Sequence, residues 1–163
     1  MQQVMFVILS LVTLGSGVMV VTTRSLFRAA LWMVLTFFGI AGLFILLQAE
    51  FLAVAQVLIY VGAISTLVIF AIMLSRGVMN PNAPAFNSQP LVVGSIALLL
   101  AVLLIGIVLN VPWPVAAGEP PTDAIQRLGT DFVGSYVIPF EAASVLLVAA
   151  MIGAIIIARE REQ

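Results

Sequence analysis

The sequence has no cysteine, no histidine and no lysine. Without thiolate or imidazole there is no ligand set for zinc, haem or an iron–sulfur cluster, so no metal site is expected on this chain. Without cysteine there is neither a disulfide nor thiol redox chemistry, and cysteine usage does not identify a compartment. Serines and threonines are present, but no base stands by to activate them, and no catalytic residue is expected. Charge is scarce too. Only 8% of residues are charged, against about 25% in soluble domains. The net charge of −1 leaves no basic footprint for nucleic acid.

What remains is apolar. Hydrophobic residues make up 63% of the chain, and the few charges sit at the ends of apolar runs. This composition predicts an all-α integral membrane protein, read as a single membrane domain over 1–163. Five spans are expected, at 4–21, 29–48, 51–74, 91–110 and 136–158, each near the ~20 residues that a bilayer requires. The first run is not a cleavable signal peptide, because its first positive charges, Arg24 and Arg28, follow it. Arg24 and Arg28, Arg76, and Arg159 with Arg161 fall on one side of such a bundle, and Arg127 falls on the other. The positive-inside rule then places the N-terminus outside and the C-terminus in the cytoplasm.

The connections differ in character. The turn at Gln48–Glu50 is very short, so spans two and three should be antiparallel neighbours. A Pro/Asn-rich loop with Pro81, Pro84 and Pro90 follows span three. The outer connection opens with Pro112-Trp113-Pro114, and Trp favours the membrane interface. Pro121-Thr122-Asp123 then offers a helix start, with a stop at Gly129 and with Ala124, Ile125, Leu128 and Phe132 at helical spacing. A short amphipathic helix on the outer membrane face is the expectation. Gly39 with Gly42, and Ala149 with Gly153, are small-residue pairs where helices can approach closely. Gly15-Ser16-Gly17 lies inside a span and is no phosphate loop. There is no internal repeat of the kind found in inverted-repeat transporters.

The third run carries most of the polar side chains: Glu50 at its mouth, then Gln56, Tyr60, Gly62, Ser65 and Thr66. Polar groups in a membrane are costly and often mark a pathway or a partner. In an unbroken helix Gln56, Tyr60, Ala63 and Leu67 share one face, and Ala55, Gly62 and Thr66 another. Gly62 beside Tyr60 weakens the helix at mid-depth, where kinks and π-bulges form. A bulge near Tyr60, Val61, Gly62 and Ala63 would turn the lower half by about 100°. The plainer reading is that Gln56 and Tyr60 bond to neighbouring helices and fix the bundle. Glu50 suits the helix dipole as a solvated carboxylate or faces a partner as a proton carrier. Glu141, in Pro139-Phe140-Glu141, has the same two readings. Gln56, Thr66, Glu50 and Glu141 are the proton-path candidates.

Two segments resemble a known family. One runs from Ala49-Glu50-Phe51-Leu52 through Ile59-Tyr60-Val61-Gly62-Ala63-Ile64 to Phe70-Ala71-Ile72-Met73-Leu74. The other runs from Leu128-Gly129 through Tyr136-Val137-Ile138-Pro139-Phe140-Glu141-Ala142-Ala143-Ser144 to Gly153-Ala154-Ile155. They resemble subunit J (chain 6) of proton-pumping NADH:quinone oxidoreductase, respiratory complex I. The Tyr-Val-Gly-Ala-Ile version is similar to the photosynthetic complex I subunits of cyanobacteria and plastids.

The resemblance implies a bulged third helix near a water-filled path, with Tyr60 and Gly62 marking the bulge and Glu50 matching the family's acid. Many members carry bulkier residues, often Phe, where this chain has Thr66-Leu67-Val68. The resemblance also implies a translocase subunit of the respiratory-chain type with no redox cofactor of its own. Quinone, NADH, FMN and iron–sulfur clusters would sit on partner subunits. The partners would be the quinone-site subunit, K-like, A-like and antiporter-like chains, and lipid. The cell inner (plasma) membrane is the expected location, with thylakoid or organelle inner membrane as alternatives. The rival reading is a scaffold or accessory chain of a membrane-bound hydrogenase or a multisubunit cation/proton antiporter. An independent small transporter is a third.

Overall fold

The computed structural model describes residues 1–74, 89–112 and 123–159. The loop around Arg76, Trp113 with Pro114, Pro121 with Thr122, and Arg161 lie outside the described residues. Those described form helices and turns, with no strand among them. The helices are α1 (Gln2–Thr22), α2 (Leu26–Leu46), α3 (Glu50–Ala55), a π-helical segment (Gln56–Ile64), α4 (Ser65–Leu74), α5 (Pro90–Asn110), α6 (Ala124–Val133) and α7 (Val137–Ala158). The third span is α3, the π segment and α4 taken together, Glu50–Leu74. Five helices are long and apolar enough to cross a membrane, among the described residues. In hydrocarbon each backbone N–H and C=O must find its partner inside the chain, and a helix supplies those partners within its own segment.

The chain divides into two compact units, Met1–Gly118 and Glu119–Gln163. In the first, α2 is the central helix. It packs on α1 and along the whole third span. Its own sequence makes this possible. Gly39 and Gly42 face α1: a Cβ on Gly39 would overlap the Thr13 hydroxyl, and one on Gly42 would come within 2.9 Å of Leu9 Cδ2. Ala30 and Ala41, each 3% exposed, are also buried. Small side chains let backbones come close where lipid removes the hydrophobic drive to associate. Two polar bonds join the pair. Thr36 donates to Ser16 Oγ at 2.9 Å, and Ser16 donates to the Val12 carbonyl at 2.7 Å. Ser16 is buried. At the other end of the pair Gln2 Nε2 donates to the Leu46 carbonyl at 3.4 Å.

The turn from α2 into the third span is a Schellman closure. Ala49 N–H donates to the Phe44 carbonyl at 2.9 Å and Gln48 N–H to the Ile45 carbonyl at 3.0 Å. Gln48 takes φ 57°, the left-handed conformation usually given to glycine and costing other residues about 1–2 kcal/mol. This closure reverses the chain in three residues, so α2 and the third span run antiparallel.

The span α5 buries none of its large apolar side chains among the described residues. In the second unit α6 carries Ala124, Leu128 and Phe132 half-buried on one face, with Arg127 and Asp131 exposed. Phe132 stacks on Phe140 of α7 at 5.8 Å. The helix runs through Gly129 to Val133 rather than stopping at the glycine. Glycine costs a helix interior about 1 kcal/mol, and the Phe132–Phe140 stack offsets it. Arg127 Nε pairs with Asp123 Oδ2 at 2.8 Å, and that bond holds the Asp123 carboxyl below the usual carboxylate range. Ala149 and Gly153 of α7 are read as a close-approach pair; among the described residues the space a Gly153 Cβ would fill is open.

The α1–α2 contact yields a prediction. Gly39→Ala should displace the Thr13 hydroxyl and destabilise the pair by about 1–3 kcal/mol. Thr13→Ala in the same chain should return a large part of that loss, a coupling of about 1 kcal/mol. Denaturant titration in mixed micelles measures both. Additive single effects would show that Thr13 and Gly39 do not press on one another.

Candidate functional site

The third span starts as an ordinary helix. Ala49 caps it through its backbone, and Glu50 stands exposed in the first turn, where a carboxylate is favoured by the helix dipole. After Ala55 the hydrogen-bond pattern changes. Gln56–Ile64, nine residues, is π-helical, and α geometry returns at Ser65. Tyr60, Val61, Gly62 and Ala63 all lie inside this segment. Gln56 is its first residue, and Thr66 follows its end. Glu50 lies about 9 Å above Gln56 along the axis. Glu141 belongs to the second unit, where it is exposed and Ser144 donates to its carbonyl at 2.8 Å.

A polar residue is buried at each end of the segment. Gln56 is 8% exposed and Ser65 is 1% exposed. Among the described residues no buried side-chain nitrogen or oxygen is left without a partner. Ser65 sends both its backbone N–H and its hydroxyl to the Tyr60 carbonyl, the hydroxyl at 2.8 Å. Thr66 Oγ1 donates to the Gly62 carbonyl at 2.6 Å. The hydroxyls therefore cover carbonyls in the turn where the ladder changes register. The Tyr60 ring meets Phe37 of α2 edge-on, with centroids 5.5 Å apart and planes 70° apart, yet stays 44% exposed. A Cβ on Gly62 would touch only the Val57 carbonyl, at 3.4 Å. Within the described residues Gly62 therefore makes no room for another helix.

The faces of an unbroken helix do not describe this span. Gln56 is buried, but Tyr60, Ala63 and Leu67 from the same face are exposed. The buried residues are Ala53, Gln56 and Ser65. Underwinding in the π segment is the physical reason, because it turns α4 relative to α3. Ser65 is the residue that periodicity missed. Its signal was a hydroxyl five residues after a tyrosine carbonyl, a spacing that matters only when the helix is π. No cluster of three or more potential metal ligands occurs among the described residues. The site can widen a helix, orient hydroxyls and hold an exposed acid at the rim.

A family model for NADH-ubiquinone/plastoquinone oxidoreductase chain 6 matches residues 16–157, which takes in the whole π segment. The chain is 39% identical to NAD(P)H-quinone oxidoreductase chain 6 of Leptolyngbya boryana, over 97% of this chain and 80% of that protein. It is 36% identical to F(420)H(2) dehydrogenase subunit J of Methanosarcina mazei, over 98% of this chain and 92% of that protein. It is also 36% identical to the chloroplastic NAD(P)H-quinone oxidoreductase subunit 6 of Cryptomeria japonica, over 94% of this chain and 90% of that protein. With a match of this extent across its membrane helices, the chain belongs to the NADH-ubiquinone/plastoquinone oxidoreductase chain 6 family.

Proposed function

We propose that this chain is a membrane-arm subunit of a proton-translocating NAD(P)H:quinone oxidoreductase of the complex I type. It couples quinone reduction to proton movement through its third span. The π segment between buried Gln56 and Ser65 carries this reading. A helix wider than α and in a membrane needs a reason, and π segments gather at functional sites. The chain contributes no redox centre. NADH, FMN, iron–sulfur clusters and quinone belong to partner subunits. Relatives named for two different electron donors are 39% and 36% identical to this chain, which fits a subunit that serves the membrane side and does not choose the donor.

The partners are the quinone-site subunit and the K-like, A-like and antiporter-like chains. They and lipid cover the apolar faces of α5 and α7. The spans work as a single membrane domain in the cell inner membrane or a thylakoid membrane. A gently solubilised, tagged chain should co-purify with quinone-oxidoreductase subunits. Co-purification with hydrogenase or cation/proton antiporter subunits instead would replace this reading by an accessory role in those complexes.

Arg24, Arg28, Arg76, Arg159 and Arg161 face the cytoplasm, and Arg127 faces outward. The N-terminus is then outside, and α6 lies on the outer membrane face with Ala124, Leu128 and Phe132 turned to the apolar side. Reporter fusions after Gln163 and within 115–130 should report opposite compartments. The same compartment for both would break this topology.

Tyr60, Val61, Gly62 and Ala63 form the gate, with Gln56 and Thr66 along the proton path and Glu50 at the mouth of the third span; Glu141, in the second unit, is a separate proton-path candidate. Two backbone registers separated by a few kcal/mol can be chosen by a partner's state. Gly62→Leu should bias that choice and lower quinone-linked turnover by roughly tenfold, a bias of about 1.4 kcal/mol, while the complex still assembles. In the same assay Glu50→Gln should leave turnover within about twofold, as expected of an acid at a wet rim whose dipole contribution is about 0.3–1 kcal/mol. Normal turnover in Gly62→Leu would count against the gate. Abolished pumping in assembled Glu50→Gln would make that acid an obligatory carrier.

A further inference from the structure

Hydroxyl-to-carbonyl bonds along these helices reach back four residues at Thr13, Ser16, Thr22, Thr36 and Thr66, and three at Ser95, Thr130 and Ser144. Ser65 differs. Its hydroxyl reaches back five, to Tyr60, and among the described residues it is the largest side chain that is fully buried. The third span packs on α2. Counting antiparallel from the Phe37–Tyr60 contact, Ser65 lies level with the Trp32 turn of α2.

The bearing of Ser65 depends on the register. In α geometry, at about 100° per residue, Ser65 stands about 180° from Gln56 around the axis, and the two could not both face α2. One residue's worth of π underwinding, about 100°, brings Ser65 to within about 80° of Gln56. Both are buried, at 1% and 8% exposure. In a straight helix the residue at that bearing is Ile64, eight positions from Gln56 and about 80° away. The two registers thus offer one seat on α2 two different side chains. Ser65 fills it with almost no surface left over. Ile64, 37% exposed in the bulged register, is larger and β-branched. Overpacking a close-fitted seat forces side chains off their rotamers or moves the backbone.

We infer that Ser65 is a positioning residue: its small hydroxylated side chain fits a serine-sized seat on α2 and selects the bulged register over the straight one that would bring Ile64 there. The inference concerns which register is adopted, and only its link to turnover rests on the coupling role proposed above.

The test exchanges the two side chains in the intact membrane complex and reads the register in high-resolution maps. The pair I64S/S65I should straighten Gln56–Ile64 and turn Ser65–Leu74 by about 100° relative to Glu50–Ala55. Retention of i→i−5 pairing in this variant would overturn the inference. Should the exchanged pair fail to assemble, I64S alone decides. It places a serine in the seat in either register, so straight helices should make up a substantial share of particles. Bulged particles only would again overturn it. Turnover is measured on the same samples. A changed register with unchanged quinone-linked turnover leaves the seat standing and sinks the coupling role. An unchanged register sinks the seat whatever the turnover.

Discussion

Inside a bilayer no water is available to satisfy a backbone amide, and the rest of this structure depends on that constraint. It makes the apolar runs helical from end to end. It requires the reversal after α2 to recover its carbonyls, which the Gln48 turn does through the bonds to Phe44 and Ile45. It also makes the π segment the most informative part of the chain. A change of ladder in water can be repaired by solvent. In the third span it is repaired by Ser65 and Thr66, whose hydroxyls cover the Tyr60 and Gly62 carbonyls.

The second constraint is that lipid does not push apolar helices together. Association then falls to close packing and a few polar bonds. The α1–α2 pair has both, in Gly39 against Thr13 and in the Thr36–Ser16 bond. Because α2 spends one side on α1 and another on the third span, it fixes the frame against which the π segment is wound. The Phe37–Tyr60 contact links that frame to the middle of the segment. A shift in the third span is therefore a shift relative to α2, and α2 is held by α1.

The sequence by itself determined the class, the number of spans and their limits to within a few residues. Length and apolarity suffice for that, because the bilayer sets both. It also singled out Glu50, Gln56, Tyr60, Gly62 and Thr66, since polar residues stand out in so apolar a run, and the family resemblance placed the bulge. Only the tertiary structure decided which of them are buried. Ser65 was visible as a polar residue of that run but not as a buried one, because its bearing depends on how far the helix is underwound, and that in turn depends on what α2 will accept. The Thr36–Ser16 bond was hidden for a related reason: in helices apolar on every side, periodicity does not tell which face meets a neighbour. Gly129 read as a stop and Gln48 only as part of a very short turn. Contacts made elsewhere, Phe132 on Phe140 and the closure onto Phe44 and Ile45, carried the helix through the first and put the second into the left-handed conformation.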